Sequence, residues 1–170
     1  VYEGRPLKTL PSQAYVVARP PLIPTSGLDF RKVLHGEQEI VMARPLPAAG
    51  ALVASSRISA VHDKGRDKGA VVMVETTARE ASSQDVLFTA TATIFARGDG
   101  GIGGPTVPAP KPHALPDRSP DLVVTAQTRP DQALLYRLTG DANPLHADPA
   151  VAAAAGYRRP ILHGMCPFGI

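Results

Sequence analysis

An aspartate, an asparagine and a histidine occur within six residues near the end of the chain, at Asp141, Asn143 and His146. Pro144 lies among them and restricts the backbone of the loop that presents them. Histidine titrates near neutral pH, and a nearby carboxylate can orient or charge its ring. The residue types and spacing therefore fit an acid–base pair on a rigid loop. The same residues also favour turns, so a polar turn without chemistry is an open alternative at this point.

A second segment, residues 160–164 with the sequence PILHG, could add a hydrogen-bond donor to that pair. Met165 and Phe168 continue it as the apolar face of a predicted helix, and Gly164 would let another group approach the backbone closely. Unpaired N–H groups at a helix start attract developing negative charge. An acid–base loop followed by such a donor suits chemistry that passes through an enolate or an oxyanion.

Short helices are predicted on both sides of the acid–base loop. An apolar face that includes Leu134 and Leu138 predicts the first, with Pro130 in its first turn and Gly140 at its end. Residues 148–155 predict the second, which has a proline in its first turn and a glycine beyond its end. These two helices would hold the loop between them.

The middle of the chain predicts an antiparallel sheet, because several strand-like segments follow one another without helices between them. These segments are rich in β-branched and alternating apolar residues and cover residues 37–44, 51–62, 70–79 and 86–97. The loop HDKGRDKG joins the second and third as a hairpin connection. Residues 121–128 predict one further strand. Composition and periodicity alone thus indicate an α+β fold with an antiparallel sheet.

Composition excludes several classes of function. The formal net charge of +3 over 170 residues is mild, and no basic cluster alternates with aromatic residues, so nucleic-acid binding is not expected. No apolar run is long enough for a membrane span. Cys166 is the only cysteine, which rules out an intrachain disulfide and suggests a reducing compartment. Its apolar neighbours favour a buried small hydrophobic side chain over a nucleophile.

Residues 98–120 are rich in glycine and proline and predict a linker. Its glycines invite comparison with phosphate-binding loops. However, no lysine–serine pair follows and no helix is predicted to begin there, so neither a P-loop nor a dinucleotide-binding loop is expected. Three further prolines, at residues 20, 21 and 24, predict a loop near the start of the chain.

The run YRLTGDANPLH, followed by DP and then GYRRPILHGMC, resembles the hydratase 2 motif of the (R)-specific 2-enoyl-CoA hydratases, also called MaoC-like dehydratases. The match has no gaps from Gln132 to Gly169, and the pieces VYE, LP, VLHGEQ, DKG and GGIGG extend the resemblance over nearly the whole chain. The most similar form is the two-hot-dog form, found in the hydratase part of the peroxisomal multifunctional enzyme of β-oxidation and in stand-alone bacterial enzymes.

The resemblance implies a hot-dog fold, in which an antiparallel sheet wraps a helix. It divides the chain into a substrate-binding hot dog over residues 1–97, the linker over 98–120, and the start of a catalytic second hot dog over 121–170. The family pattern would begin before Val1 and continue after Ile170, so we expect the natural protein to be longer than this chain.

The resemblance also implies an activity: reversible addition of water to a trans-2-enoyl-CoA, giving the (3R)-3-hydroxyacyl-CoA in fatty-acid metabolism, with no cofactor. Asp141 and His146 would activate the water, and Asn143 would hold the loop. The N–H of Gly164 would stabilise enolate charge on the thioester oxygen. The residues implied for substrate binding are His35, Gly36, Lys64, Arg137, Ala142, Pro144 and Leu145.

The implied partners are an acyl-CoA thioester and a second copy of the chain in a homodimer. The implied location is the bacterial cytoplasm or, in a eukaryote, the peroxisome. Two other classes stay open, a hot-dog acyl-CoA thioesterase and a non-catalytic acyl-CoA-binding or scaffold protein. The ordered hydratase motif argues against the thioesterase. No metal is expected, because the spacing of the nearby histidines and aspartates fits no common zinc pattern.

Overall fold

A four-stranded antiparallel sheet is the largest element of the computed structural model, which describes residues 4, 6–19, 25–103 and 114–170. Its strands are β1 (Val33–Met42), β2 (Leu52–Asp63), β3 (Ala70–Glu80) and β4 (Val86–Ala96). Their order in the sheet is β1-β4-β3-β2, and all neighbouring pairs are antiparallel. The four strands predicted from residues 37–97 are therefore confirmed, with β1 beginning four residues earlier than expected.

One face of the sheet is buried because small and apolar residues alternate along its central strands. In β3, every second residue from Ala70 to Ala78 is buried. β4 contributes Phe88, Ala90 and Ile94 to the same core. Phe88 is completely buried, and full burial of such a side chain stabilises the fold by roughly 1.5–3 kcal/mol.

A short helix, α1 (Gln13–Val17), packs on this face of the sheet. Ala14 and Ala18 lie in the same buried cluster as Ala78 and Phe88. Alanine side chains let the helix approach the strands closely, so the end of α1 is held against the sheet. The predicted loop at residues 20–24, which follows α1, lies outside the described residues, as do residues 1–3.

Gly36 occupies a β-bulge in β1, where the pairing with β4 shifts between His35 and Glu37. A Cβ atom at Gly36 would lie 3.2 Å from the carbonyl oxygen of Thr93, which is tighter than ordinary contact. The glycine therefore allows close strand pairing at the bulge.

The glycine-rich segment after β4 is fastened to the β2–β3 turn by Asp63. Its carboxylate accepts hydrogen bonds from the backbone N–H groups of Gly65 and Gly101, both at 2.8 Å, and of Gly103 at 3.0 Å. The bonds from Gly101, Gly65 and Gly103 hold the pKa of Asp63 below its ordinary value. These N–H groups are thus already used by a carboxylate, which agrees with the absence of phosphate-loop signals in the sequence. Residues 104–113 of the predicted linker lie outside the described residues.

Short helical segments make up the regular structure of the described part of the second half. They are α2 (Gln132–Tyr136), 3-10 turns at Arg137–Thr139 and Pro144–His146, α3 (Pro149–Ala154) and α4 (Met165–Phe168). Gly140 ends the first turn with a φ of 117°, and the carboxylate of Asp148 caps α3. Both helices predicted around the loop are confirmed. Among the described residues, no helix is long and apolar enough to cross a membrane.

The strand predicted at residues 121–128 is wrong, because this segment has no regular secondary structure. Leu122, Val123 and Val124 are between 73% and 79% exposed. A strand is stable only when its backbone pairs with a neighbour, and none of the described strands pairs with this segment. Its apolar pattern was therefore insufficient to predict its conformation.

We expect Gly100→Ala to lower the free energy of unfolding by about 1–3 kcal/mol, the usual cost of overpacking. The new Cβ would overlap with the carbonyl oxygen of Gly65, which is backbone and cannot move aside without breaking the turn held by Asp63. Gly98→Ala is the matched control, because its Cβ would meet chiefly the flexible side chain of Lys32, at 2.8 Å. Urea unfolding measures both; equal stabilities of the two variants would contradict this account.

Candidate active site

The two halves of the chain meet around a cavity of about 810 Å³. The sheet contributes an apolar wall, and α1 adds small side chains beside it. The segment that ends in α4 and the loop with the candidate acid–base residues form the opposite side. The apolar residues that line the cavity include Ala14, Ala18, Val33, Val74, Phe88, Ala90, Ala92, Ile94, Ile161, Leu162 and Met165.

The loop that carries Asp141 and His146 is fixed by its own hydrogen bonds. The Asn143 side chain accepts from the backbone N–H of Leu145 at 3.0 Å and caps the 3-10 turn at Pro144–His146. The Asn143 N–H donates to Asp141 Oδ1 at 3.2 Å, and Arg137 donates to the Asn143 carbonyl at 3.0 Å. Asn143 therefore holds the loop.

His146 is buried, and its hydrogen bond defines which ring nitrogen carries the proton. Nδ1 lies 2.8 Å from the carbonyl oxygen of Ile161, which can only accept, so Nδ1 must be the donor. In the neutral ring, Nε2 is then left with its lone pair. Burial lowers the pKa of His146 below its ordinary value and so favours the neutral ring. His146 is thus prepared to accept a proton at Nε2.

His163 packs between His146 and Tyr136, with ring centroids 3.8 Å and 4.6 Å away, respectively. Its Nε2 donates to the backbone carbonyl of Asp141 at 3.0 Å, while its buried Nδ1 has no hydrogen-bond partner among the described residues. Burial, and next the nearby His146, lower the pKa of His163. His163 therefore connects the ring of His146 to the backbone of Asp141.

Asp141 is buried, with 5% of its side chain exposed, and forms an ion pair with Arg19. The same oxygen, Oδ1, accepts the Arg19 guanidinium and the Asn143 N–H. Arg19 follows the end of α1, and its guanidinium carbon lies 6.0 Å from the ring centroid of Tyr15. The cation beside the candidate acid therefore comes from the first half of the chain.

His35 extends this group of side chains from β1 towards α4. Its ring stacks on Tyr15 with centroids 5.0 Å apart and planes within 7°. His35 Nε2 lies 3.1 Å from Gln38 Oε1, an acceptor, so Nε2 carries the proton. Nδ1 lies 3.8 Å from the position that a Cβ atom on Gly164 would occupy. Burial lowers the pKa of His35, which favours an uncharged ring in the cavity.

Most of the predicted site residues line this cavity. They are His35, Asp141, Ala142, Asn143, Pro144, Leu145, His146 and Gly164. Gly36, Lys64 and Arg137 are not among the residues that line it. Gly36 lies in the bulge of β1, Arg137 holds the loop from outside, and the Lys64 ammonium lies 5.7 Å from the ring centroid of Phe95. Their substrate contacts stay predictions.

Tyr15, Arg19 and Gln38 also line the cavity, and sequence analysis did not identify them. The partner of Arg19 is 122 residues away in the chain, so spacing gave no signal. Tyr15 lies in α1 and Arg19 follows its end, so no helical spacing in the sequence placed them on one side.

The arrangement combines a buried imidazole, a buried carboxylate and an apolar wall. No hydrogen bond of the described residues occupies the Gly164 N–H, at the start of α4. These groups can take a proton from water and stabilise negative charge on an oxygen. Among the described residues, no group of three or more histidine, cysteine, aspartate or glutamate side chains could hold a metal ion. Cys166 is buried and makes a long contact with Gln132, so it behaves as a core side chain.

Several known proteins are similar to this chain in sequence and in fold. The family described as MFE-2 hydratase 2 N-terminal domain matches residues 7–98, and the MaoC like domain matches residues 111–170. Enoyl-CoA hydratase ChsH3 of Mycobacterium tuberculosis is 46% identical over 153 residues, which cover 89% of this chain and 52% of that protein. This chain therefore spans about half the length of that relative.

Solved structures show the same architecture. Full-length peroxisomal multifunctional enzyme type 2 from Drosophila melanogaster aligns with a TM-score of 0.64 at 38% identity, covering 87% of this chain and 27% of that one. A Mycobacterium tuberculosis protein described as a double hot-dog fold aligns with a TM-score of 0.55 at 16% identity, covering 96% of this chain and 58% of that one. The second likeness concerns the fold alone, and the predicted α+β hot-dog fold is confirmed.

More than half of the residues match the first family, and the motif around Asp141 and His146 falls within the second match. The chain therefore belongs to the MFE-2 hydratase 2 family, with a MaoC-like segment in its second half.

Proposed function

We propose that the chain catalyses the reversible hydration of a trans-2-enoyl-CoA to a (3R)-3-hydroxyacyl-CoA, as a hydro-lyase of fatty-acid metabolism. The observation that carries the proposal is the buried His146, whose Nδ1 donates to the Ile161 carbonyl so that Nε2 is left to accept a proton, next to a buried carboxylate in an apolar cavity. A relative that is 46% identical is named an enoyl-CoA hydratase, which supports the same activity here.

The proposed reaction uses one water and returns the site to its starting state. His146 Nε2 takes one proton from the water while the water oxygen bonds to Cβ of the substrate. Asp141 holds the water by accepting a hydrogen bond from the second water proton. Charge that moves to the thioester oxygen is stabilised by the Gly164 N–H. The His146 proton then goes to Cα on the same face, so that H and OH have been added and His146 is neutral again.

The lining of the cavity supports the proposal that the substrate is an acyl-CoA thioester. Its wall is mostly apolar, and the apolar side chains of the sheet would contact the acyl chain. We retain the proposed division into a substrate-binding hot dog over residues 1–97, a linker over 98–120 and a catalytic segment over 121–170. In this arrangement the first segment supplies the wall and the second supplies the acid–base loop.

Asp141→Asn and His146→Gln should each reduce kcat for hydration of crotonyl-CoA by roughly 10²–10⁴-fold, because each removes one partner of the acid–base pair. Loss of enoyl absorbance measures the rate. The control is Asp121→Asn, the same substitution at an exposed aspartate whose ion pair with Arg118 lies on the surface. Turnover close to that of the unmodified chain in either site variant would refute the assignment.

The same assay separates the other two classes of function. A hot-dog thioesterase would release free CoA thiol from crotonyl-CoA, and a scaffold would change neither substrate absorbance nor free thiol. We expect loss of the enoyl absorbance without thiol release.

Gly164→Ala should reduce kcat/KM by about 10²-fold, because a methyl group between Gly164 and His35 would displace the thioester from the N–H. The fold should not change, since the new Cβ would lie at an ordinary 3.8 Å from His35 Nδ1. Gly169→Ala is the matched control, with ordinary contacts of 3.6 and 3.8 Å at the end of α4. An unimpaired Gly164→Ala enzyme would remove Gly164 from the mechanism.

We also propose a homodimer, located in the bacterial cytoplasm or, in a eukaryote, in the peroxisome. The edge strands β1 and β2 support the dimer, because they expose apolar side chains at Val41, Val53 and Ile58. One relative is a bacterial protein and another is a peroxisomal enzyme, which supports the two proposed locations. Sedimentation equilibrium should give twice the chain mass, and a single-chain mass at every concentration would contradict the dimer.

A further inference from the structure

Asp141 needs a positive partner because a buried, isolated carboxylate is strongly unfavourable. Its side chain is 5% exposed, and among the described residues the Asn143 N–H and the Arg19 guanidinium both donate to Oδ1. Among the described residues, Arg19 is the cation that forms an ion pair with it. The Arg19 side chain is 38% exposed, so it spans from the solvent to the buried acid.

Arg19 is also held in place by the first half of the chain. It follows α1, whose Ala14 and Ala18 are buried against the sheet. Its guanidinium lies near the Tyr15 ring, which in turn stacks on His35. The position of the charge therefore depends on the packing of α1 rather than on the acid–base loop itself.

Several charged or titratable groups act on His146 from the elements packed around it. Asp141 favours its charged form, whereas Arg19 and Arg137 oppose it, and His163 lies against its ring. Tyr15, Tyr136 and His35 interact electrostatically with Asp141. Arg19 and Asp141 are directly paired, so their fields at His146 largely cancel.

We propose that Arg19 is a positioning residue for the acid–base pair: its guanidinium fixes and neutralises the Asp141 carboxylate, so that His146 stays uncharged and available as the base. This inference rests on the proposed hydratase function for its kinetic consequence, but its electrostatic consequence is independent of any activity. Without Arg19, the uncompensated carboxylate would hold a proton on His146 and lower the fraction of active base near neutral pH.

The test follows the titration of His146 by NMR in the full chain labelled at histidine, with His146→Gln to assign the signal. Arg19→Gln should raise the titration midpoint by about 0.5–1 pH unit, since it leaves the Asp141 charge uncompensated. Arg19→Lys should restore most of the original midpoint because it returns the charge. Arg57→Gln, at an exposed arginine paired with Glu75 on the sheet, should change nothing.

The kinetic arm measures kcat/KM for crotonyl-CoA between pH 5 and 8 in the same variants. The acidic limb should move to higher pH in Arg19→Gln by the same amount as the NMR midpoint, and Arg19→Lys should move it back. A purely structural role of Arg19 would reduce the rate at every pH without moving the limb.

The outcomes separate the two proposals. An unchanged His146 midpoint in Arg19→Gln overturns this inference, whether or not the chain is active. A shifted midpoint in a chain that does not hydrate crotonyl-CoA supports the coupling and rejects the proposed function. If Arg19→Gln fails to fold, as circular dichroism would show, Arg19→Met keeps the aliphatic stem and must give the same upward shift.

Discussion

The buried carboxylate of Asp141 is the constraint on which the arrangement of the site depends. An anion removed from water must be compensated, and the compensation comes from Arg19, 122 residues earlier in the chain. The backbone carbonyl of the same residue is held by His163, whose ring contacts His146. Asp141 therefore links Arg19 to His163 and His146, and α1 must lie against the sheet for this to happen.

Local signals in the sequence were sufficient for part of the structure. The β-branched runs predicted all four strands, Gly140 marked the end of one helical segment and Pro149 the start of another, and Asp141 and His146 of the predicted polar loop line the cavity. Local signals were not sufficient where the structure depends on distant partners. Residues 121–128 have a strand-like pattern but no strand to pair with, and Arg19 meets Asp141 only through the packing of α1. Neither fact can be derived from nearby residues.

Motif residues away from the cavity show how a family pattern can combine fold and site. In the piece VLHGEQ, His35 lines the cavity, whereas Gly36 permits the β-bulge beside Thr93. The DKG segment begins with Asp63, whose carboxylate accepts hydrogen bonds from the N–H groups of the glycine-rich segment. These glycines are therefore explained by the contact between the β2–β3 turn and the segment after β4. Lys64 lies in the same turn, beside Phe95.

The apolar wall of the cavity acts on the chemistry as well as on binding. Burial is the largest cause of the lowered pKa of His146, His163 and His35, so the side chains that would contact an acyl chain also keep these rings neutral. Burial also penalises the charged form of Asp141, and the ion pair with Arg19 compensates that penalty. The shape of the cavity and the pKa of His146 therefore cannot change independently. A larger cavity that admitted water would bring the His146 pKa closer to its ordinary value. It would also reduce the cost of the charged Asp141 side chain, so that the ion pair with Arg19 would matter less. The ion pair is the part of the site that reconciles an apolar pocket with a charged acid.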